Sequence, residues 1–151
     1  MSEHIKQHNI EVTKTARYYT LGEISSNTKE VWVVCHGQGQ LAGYFIKHFQ
    51  SIAKEDRLIV AAEGLSRFYL DNMGGRIGAC WMTREDRLNE IDNYVNYLDK
   101  LYEQILTLLP NQEIKVQALG FSQGVATICR WVALGKAKPV DKLILWGGLT
   151  P

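Results

Sequence analysis

Gly120-Phe121-Ser122-Gln123-Gly124 follows a short apolar run at residues 114–119 and opens a helical pattern that reaches about Leu134, with Gly135 as its stop. The five residues read G-x-S-x-G. A strand that turns this abruptly into a helix displays the central hydroxyl at the tip of the bend. Glycine on each side suits so tight a turn, because a Cβ there would clash. The pattern predicts a nucleophile elbow with Ser122 as the attacking group. A serine that merely caps an ordinary helix is the plainer reading, and the strand before the motif argues against it.

Working outward, several apolar runs do not alternate. They are Val31-Trp32-Val33-Val34-Cys35, Leu58-Ile59-Val60-Ala61-Ala62, residues 116–119 and Leu143-Ile144-Leu145-Trp146. Runs of this kind suit strands covered on both faces, as in a parallel sheet. Helical patterns lie between them. Leu41, Phe45, Phe49 and Ile52 share one helix face. Leu88, Ile91, Val95, Leu98, Tyr102, Ile105 and Leu109 step by three and four along another. Thr83-Arg84-Glu85-Asp86 resembles a capping box at its start, and Pro110 ends it. Residues 10–12 and 16–21 read as two short strands, with a hairpin through Lys14-Thr15 forming an antiparallel edge. The whole predicts an α/β doubly wound layer sandwich.

Composition narrows the function. The 151 residues are 46% hydrophobic and carry a net charge of +1. That suits one domain with a substantial core and gives no electrostatic case for a nucleic-acid partner. No apolar run is long enough for stable membrane insertion. The first residues lack the apolar stretch of a signal peptide. Three cysteines, Cys35, Cys80 and Cys129, make neither a disulfide framework nor a metal knuckle. A cytoplasmic location is expected, with no metal and no cofactor.

A second loop bears on chemistry. His36-Gly37-Gln38-Gly39 follows the first parallel strand. Acyl transfer builds negative charge on the carbonyl oxygen, and two backbone N–H groups aimed at it form an oxyanion hole. Losing one such donor typically costs about 2.7–4 kcal/mol. The expected donors are the amides of Gln123 and Gln38, with Gly37 and Gly39 letting the loop approach the substrate. The same residues have a rival reading. Gly37-Gln38-Gly39-Gln40-Leu41-Ala42 spells a dinucleotide fingerprint, with Glu63 as its acidic partner, but the pattern is short. His36 is expected to shape the loop rather than to act as base. His4 and His8 stand in a terminus with metal-like spacing, and His48 falls on a helix surface.

Residues 67–81 read as a long glycine-rich connection, without helix or strand, and such connections are often functional. Met73, Arg76 and Trp81 are its candidate pocket residues. Trp81 either faces substrate or packs in the core. Arg76 is placed to meet an anionic headgroup.

These pieces together resemble the phospholipase/carboxylesterase family of α/β-hydrolases, which includes acyl-protein thioesterases and lysophospholipases. The resemblance rests on the His-Gly loop, on Gly-Phe-Ser-Gln-Gly at residues 120–124, and on the tail Leu143-Ile144-Leu145-Trp146-Gly147-Gly148-Leu149-Thr150-Pro151. It implies a three-layer, mostly parallel sheet and an acyl-enzyme formed on Ser122. The substrate would be a small-molecule or lipid ester or thioester. It also implies a triad acid and a histidine in later strands and loops. No histidine follows Ser122, and Asp141 is the only acidic residue after it, at the wrong end of its strand. Residues 1–151 are therefore expected to be one hydrolase domain, incomplete at the C-terminus and nearly inactive alone. The sheet would stop after the strand that follows the elbow helix, leaving an apolar edge open to a homodimer. A non-catalytic, hydrolase-like binding module is the alternative.

Overall fold

The computed structural model describes residues 4–110, 113–137 and 139–151. Five strands form one sheet in the order β1-β3-β2-β6-β7. They are β1 (Tyr18–Leu21), β2 (Glu30–Cys35), β3 (Arg57–Ala62), β6 (Lys115–Phe121) and β7 (Lys142–Trp146). β1 runs antiparallel to β3, and the other pairings are parallel. The non-alternating runs become β2, β3 and β6 because both sheet faces are covered. Val31, Val33, Leu58, Val60, Val116 and Ala118 point toward α2 (Arg87–Leu108) and α3 (Gln123–Leu134). Val34, Ile59, Ala61 and Leu119 meet Ala42, Phe45, Ile46 and Phe49 on the opposite face. Three layers result.

Several local features depart from the sequence-based expectation. Ile10 and Val12 form no strand, and no hairpin crosses Lys14-Thr15. They are 87% and 79% exposed, so no burial favours an extended pairing there. The antiparallel edge is β1 alone. The first helix is one α-turn, α1 (Ala42–Phe45), that tightens into a 3₁₀ stretch over Ile46–Ile52. In α2, Leu88 is 71% exposed and lies outside the core stripe. No capping box forms at its start. Asp86 sits at φ 51° with no side-chain cap, and Thr83 Oγ1 instead accepts the Glu85 amide. At its end, Leu109 is extended, as the residue before Pro110 must be.

The segment read as a connection is a two-stranded antiparallel hairpin, β4 (Ser66–Tyr69) and β5 (Ile77–Cys80). It stands beside the C-terminal ends of β2 and β3. Gln40 forms an isolated antiparallel bridge to Ala79, which ties the hairpin to the loop after β2. β7 closes the sheet on the other side and, among the described residues, has one neighbour, β6. Leu143, Leu145 and Trp146 on it are 37%, 41% and 66% exposed.

Candidate active site

β6 ends at Phe121 and α3 begins at Gln123, leaving Ser122 alone between them. Its backbone sits at φ 55° and ψ −117°, a region that glycine favours and other residues avoid. Two hydrogen bonds hold it there. Ser122 N–H donates to the Trp146 carbonyl at 3.0 Å, and Val125 N–H donates to the Ser122 carbonyl at 3.0 Å. The side chain is exposed. Strain of this kind typically costs about 1–3 kcal/mol, and glycine's extra freedom in the unfolded chain offsets part of the gain from removing it. Ser122→Gly is therefore expected to raise stability by about 1 kcal/mol. A thermal melt that shows a lower midpoint than the parent chain would contradict this.

The glycines around Ser122 serve close approach. A Cβ on Gly124 would overlap the Cys35 carbonyl oxygen and lie 2.7 Å from that of His36. A Cβ on Gly37 would come within 3.0 Å of the Ser122 Cβ. The elbow and the loop after β2 are thus in contact. Within that loop the Gly37 amide donates to Gln40 Oε1 at 2.7 Å, and the Gly39 amide donates to the Ala79 carbonyl at 2.8 Å. Gly39 has φ 84°. Gln38 lies between these two anchored amides and is exposed; among the described residues its own amide has no protein acceptor. The Gln123 amide opens α3, where no carbonyl lies one turn behind it.

His36 is fully buried at the end of β2. Its Nε2 accepts the Gly64 amide at 2.9 Å, so Nδ1 carries the proton and donates to the Gly37 carbonyl at 2.7 Å. Both ring nitrogens are engaged, one within its own loop and one with the chain just after β3. Burial pushes its pKa below the ordinary imidazole value, although the Gly37 carbonyl and the Glu63 charge work the other way. Protonating Nε2 would set two donors against each other at Gly64. A histidine with a lowered folded pKa gives stability that is complete above the ordinary value of 6.5 and is lost as pH falls. Unfolding free energy should drop as pH falls from 6.5 toward the folded pKa. His36→Asn should flatten that slope, which denaturant titrations at stepped pH will show; an unchanged slope contradicts the assignment.

Trp81 is 2% exposed, stacked on His36 at 5.0 Å between ring centroids, with Nε1 donating to the His36 carbonyl at 2.8 Å. The core reading of this tryptophan is the one observed, and it does not line an open cleft. Met73 is 89% exposed at the hairpin tip. Arg76 borders the larger groove, of about 500 Å³, with Leu41, Tyr44, Phe45, Leu70 and Ile77. Its guanidinium pairs with Asp71 at 3.1 Å. His48 lines the same groove and is exposed. A smaller cavity of about 250 Å³ lies beside Gln38, Phe68, Cys80 and Met82.

The dinucleotide reading meets an obstacle at Glu63. Its carboxylate is fully buried and receives Arg17, Arg67 and the Ala42 amide that starts α1. Burial alone would raise its pKa, but these donors outweigh burial and leave it below the usual carboxylate range. Both the acid and the helix N-terminus are therefore already used. Among the described residues no group of His, Cys, Asp and Glu could hold a metal ion. Cys35 is buried, and burial raises its thiol pKa.

Two features escaped the sequence reading. One is the Glu63 cluster, whose arginine partner at position 17 is remote in the chain. The other is the Gln123 side chain. Its Oε1 accepts the Trp81 amide at 3.1 Å and its Nε2 donates to the Met82 carbonyl at 2.9 Å. Nothing local in G-x-S-x-G signals that contact.

No protein-family model matches the sequence, and no curated protein matches it. Solved structures do match the fold. Esterase PE8 superimposes with a TM-score of 0.67 at 20% identity, over 91% of this chain and 66% of that one. Acyl-protein thioesterase 2 of Zea mays gives 0.63 at 18% identity, over 91% and 64%. The phospholipase/carboxylesterase from Dyadobacter fermentans gives 0.64 at 19% identity, over 94% and 64%. This chain thus spans about two thirds of the length of each. With its mostly parallel sheet, its covering helices and the sharp turn at Ser122, the chain has the α/β-hydrolase fold, as these esterases do.

Proposed function

We propose that the chain carries the nucleophile and oxyanion hole of a carboxylic-ester or thioester hydrolase. The observation that supports this most is the backbone of Ser122, a non-glycine residue held at positive φ with its side chain exposed beside the Gly37 loop. In this reading Ser122 Oγ bonds to the acyl carbon while its proton passes to a base. The amides of Gln38 and Gln123 stabilise the developing oxyanion. Collapse of the tetrahedral intermediate expels the alcohol or thiol, which takes up the proton. Water then releases the acid by the same steps.

The base is the open position. His36 is locked by Gly64 and Gly37 and is not placed to take the Ser122 proton. An unassisted serine hydroxyl is a poor nucleophile, so slow turnover is expected of these residues alone. The apolar groove lined by Leu41, Tyr44, Phe45, Leu70 and Ile77 suits an acyl chain. The named structural neighbours, an esterase, a thioesterase and a phospholipase/carboxylesterase, point to the same substrate class. Three free cysteines suit a cytoplasmic setting, and no helix among the described residues is long and apolar enough to cross a membrane. The unengaged Ser122 hydroxyl also suits a second reading, a hydrolase-like module that binds its ligand without turning it over.

Imidazole supplied in solution separates the two readings. Hydrolysis of a p-nitrophenyl ester should rise with free imidazole above the rate of the Ser122→Ala chain. Identical rates for the two chains at every imidazole concentration would refute the hydrolase reading.

A further inference from the structure

The two amides assigned to the oxyanion hole belong to different loops, and both are fastened to residues 79–82, the end of β5 and the two residues after it. On one side the Gly39 amide donates to the Ala79 carbonyl at 2.8 Å, and the Ala79 amide donates to the Gln40 carbonyl at 2.9 Å. On the other side the Gln123 side chain bonds to the Trp81 amide and the Met82 carbonyl. Trp81 Nε1 adds a third tie, to the His36 carbonyl. Residues 79–82 therefore span the gap from the Gln38 loop to the elbow through a continuous hydrogen-bonded path. The span has little slack. A Cβ on Gly78 would strike the Gly39 backbone, so β5 already lies against the loop.

The same hairpin forms a wall of both cavities. Leu70, Gly75, Arg76 and Ile77 face the larger one, and Ser66, Phe68, Cys80 and Met82 face the smaller. A ligand in either cavity would therefore touch the hairpin whose end residues 79–82 form.

We propose that the Gln123 side chain is a positioning residue, which holds β5 as a strut that sets the spacing of the Gln38 and Gln123 amides and links that spacing to occupancy of the grooves. This rests on Ser122 as the nucleophile. The side chain acts apart from the Gln123 main-chain amide, which every substitution except proline retains. A clamped strut keeps both donors in place before the substrate arrives, which is where electrostatic stabilisation gains most. The plainer alternative is that Gln123 simply satisfies two loop groups, with no influence on the Gln38 loop.

Amide hydrogen exchange of the 151-residue chain decides between them. Gln123→Met keeps the length of the side chain and removes its bonds to Trp81, Met82 and the Cys80 thiol. Exchange should rise about tenfold at Trp81 and also at Gly39 and Ala79, which Gln123 does not touch, while the amides of α2 keep their protection. Fast exchange at Trp81 with Gly39 and Ala79 unchanged overturns the proposal. So does a uniform rise that includes α2, because that is ordinary destabilisation. Gln123→Glu retains an acceptor for the Trp81 amide and should recover part of the protection at all three amides; no recovery also counts against the strut.

A second readout is the labelling of Ser122 by a fluorophosphonate with imidazole present. Gln123→Met should lower the rate at saturation about tenfold, one hydrogen bond's worth, and leave the half-saturating concentration unchanged. An unchanged saturating rate overturns the proposal. If the parent chain takes no label, the nucleophile reading fails, and the exchange data still settle whether Gln123 positions the loop.

Discussion

Gly124→Ala should leave no cooperatively folded protein. The added methyl would overlap the Cys35 carbonyl oxygen and lie 2.7 Å from the His36 carbonyl oxygen, so backbone meets backbone and no rotamer offers escape. Alanine is worth about 1 kcal/mol over glycine in a helix interior, and Gly124 lies in the first turn of α3. Steric cost outweighs that gain. Relief requires α3 to move off β2, which uncovers Val125 and Ile128, both fully buried. Overpacking a rigid core costs about 1–3 kcal/mol when side chains can yield, and more when only backbone can move. Total stability of a domain is about 5–15 kcal/mol. Circular dichroism melts and amide NMR spectra will show the result. A folded variant within a few degrees of the parent would mean that the elbow and the His36 loop are not in contact.

Glu63→Ala carries the second large effect. The carboxylate is wholly buried, yet it receives Arg17 at 2.9 Å, Arg67 at 2.8 Å and the Ala42 amide at 3.1 Å. Removing it strands these donors and opens a hole between β3, β4 and the start of α1. Breaking a buried pair typically costs about 3–5 kcal/mol. Both arginine side chains are 45% exposed, so water recovers part of the loss and about 3 kcal/mol is the expected cost. A carboxylate with a depressed pKa contributes stability above its ordinary value and loses it as pH falls through the folded one. The difference between parent and variant should therefore shrink in acid. Urea titrations at neutral and acid pH measure both effects, and a variant within 0.5 kcal/mol of the parent, the usual band for surface changes, would contradict the account.

The fold was readable where burial on both faces makes its own pattern. β2 and β3 are nearly continuous apolar runs, and β6 is one broken only by Gln117, because helices cover both sides of them. The sharp turn at Ser122 was readable because its geometry demands glycine at 120 and 124. The hairpin was not. β4 is exposed along its length, so no face alternates, and β5 is held by the backbone of Gly39 and Gln40 rather than by side-chain pattern. Asn72-Met73-Gly74-Gly75 between two four-residue stretches was the available sign, with Gly74 at φ 88°. Ile10 and Val12 misled for the opposite reason. Their β-propensity is real, but no partner strand buries them, and propensity without packing does not make a sheet. In the proposed site, the turn at Ser122 and the glycine loop after β2 follow from local sequence. The contacts of Glu63 with Arg17 and of Gln123 with Trp81 join residues 46 and 42 positions apart, which no local pattern encodes. Trp81 shows the same limit, since its stacking on His36 depends on where two loops meet.

Peptide mapping by mass spectrometry after fluorophosphonate treatment in imidazole buffer bears most directly on the nucleophile. The adduct should fall on Ser122 alone, although Ser25, Ser26, Ser51 and Ser66 offer the same hydroxyl, because Ser122 is exposed on a strained turn against the Gly37 loop, where the proposed oxyanion donors lie. Equal labelling of the other serines, or none on Ser122, would contradict the account.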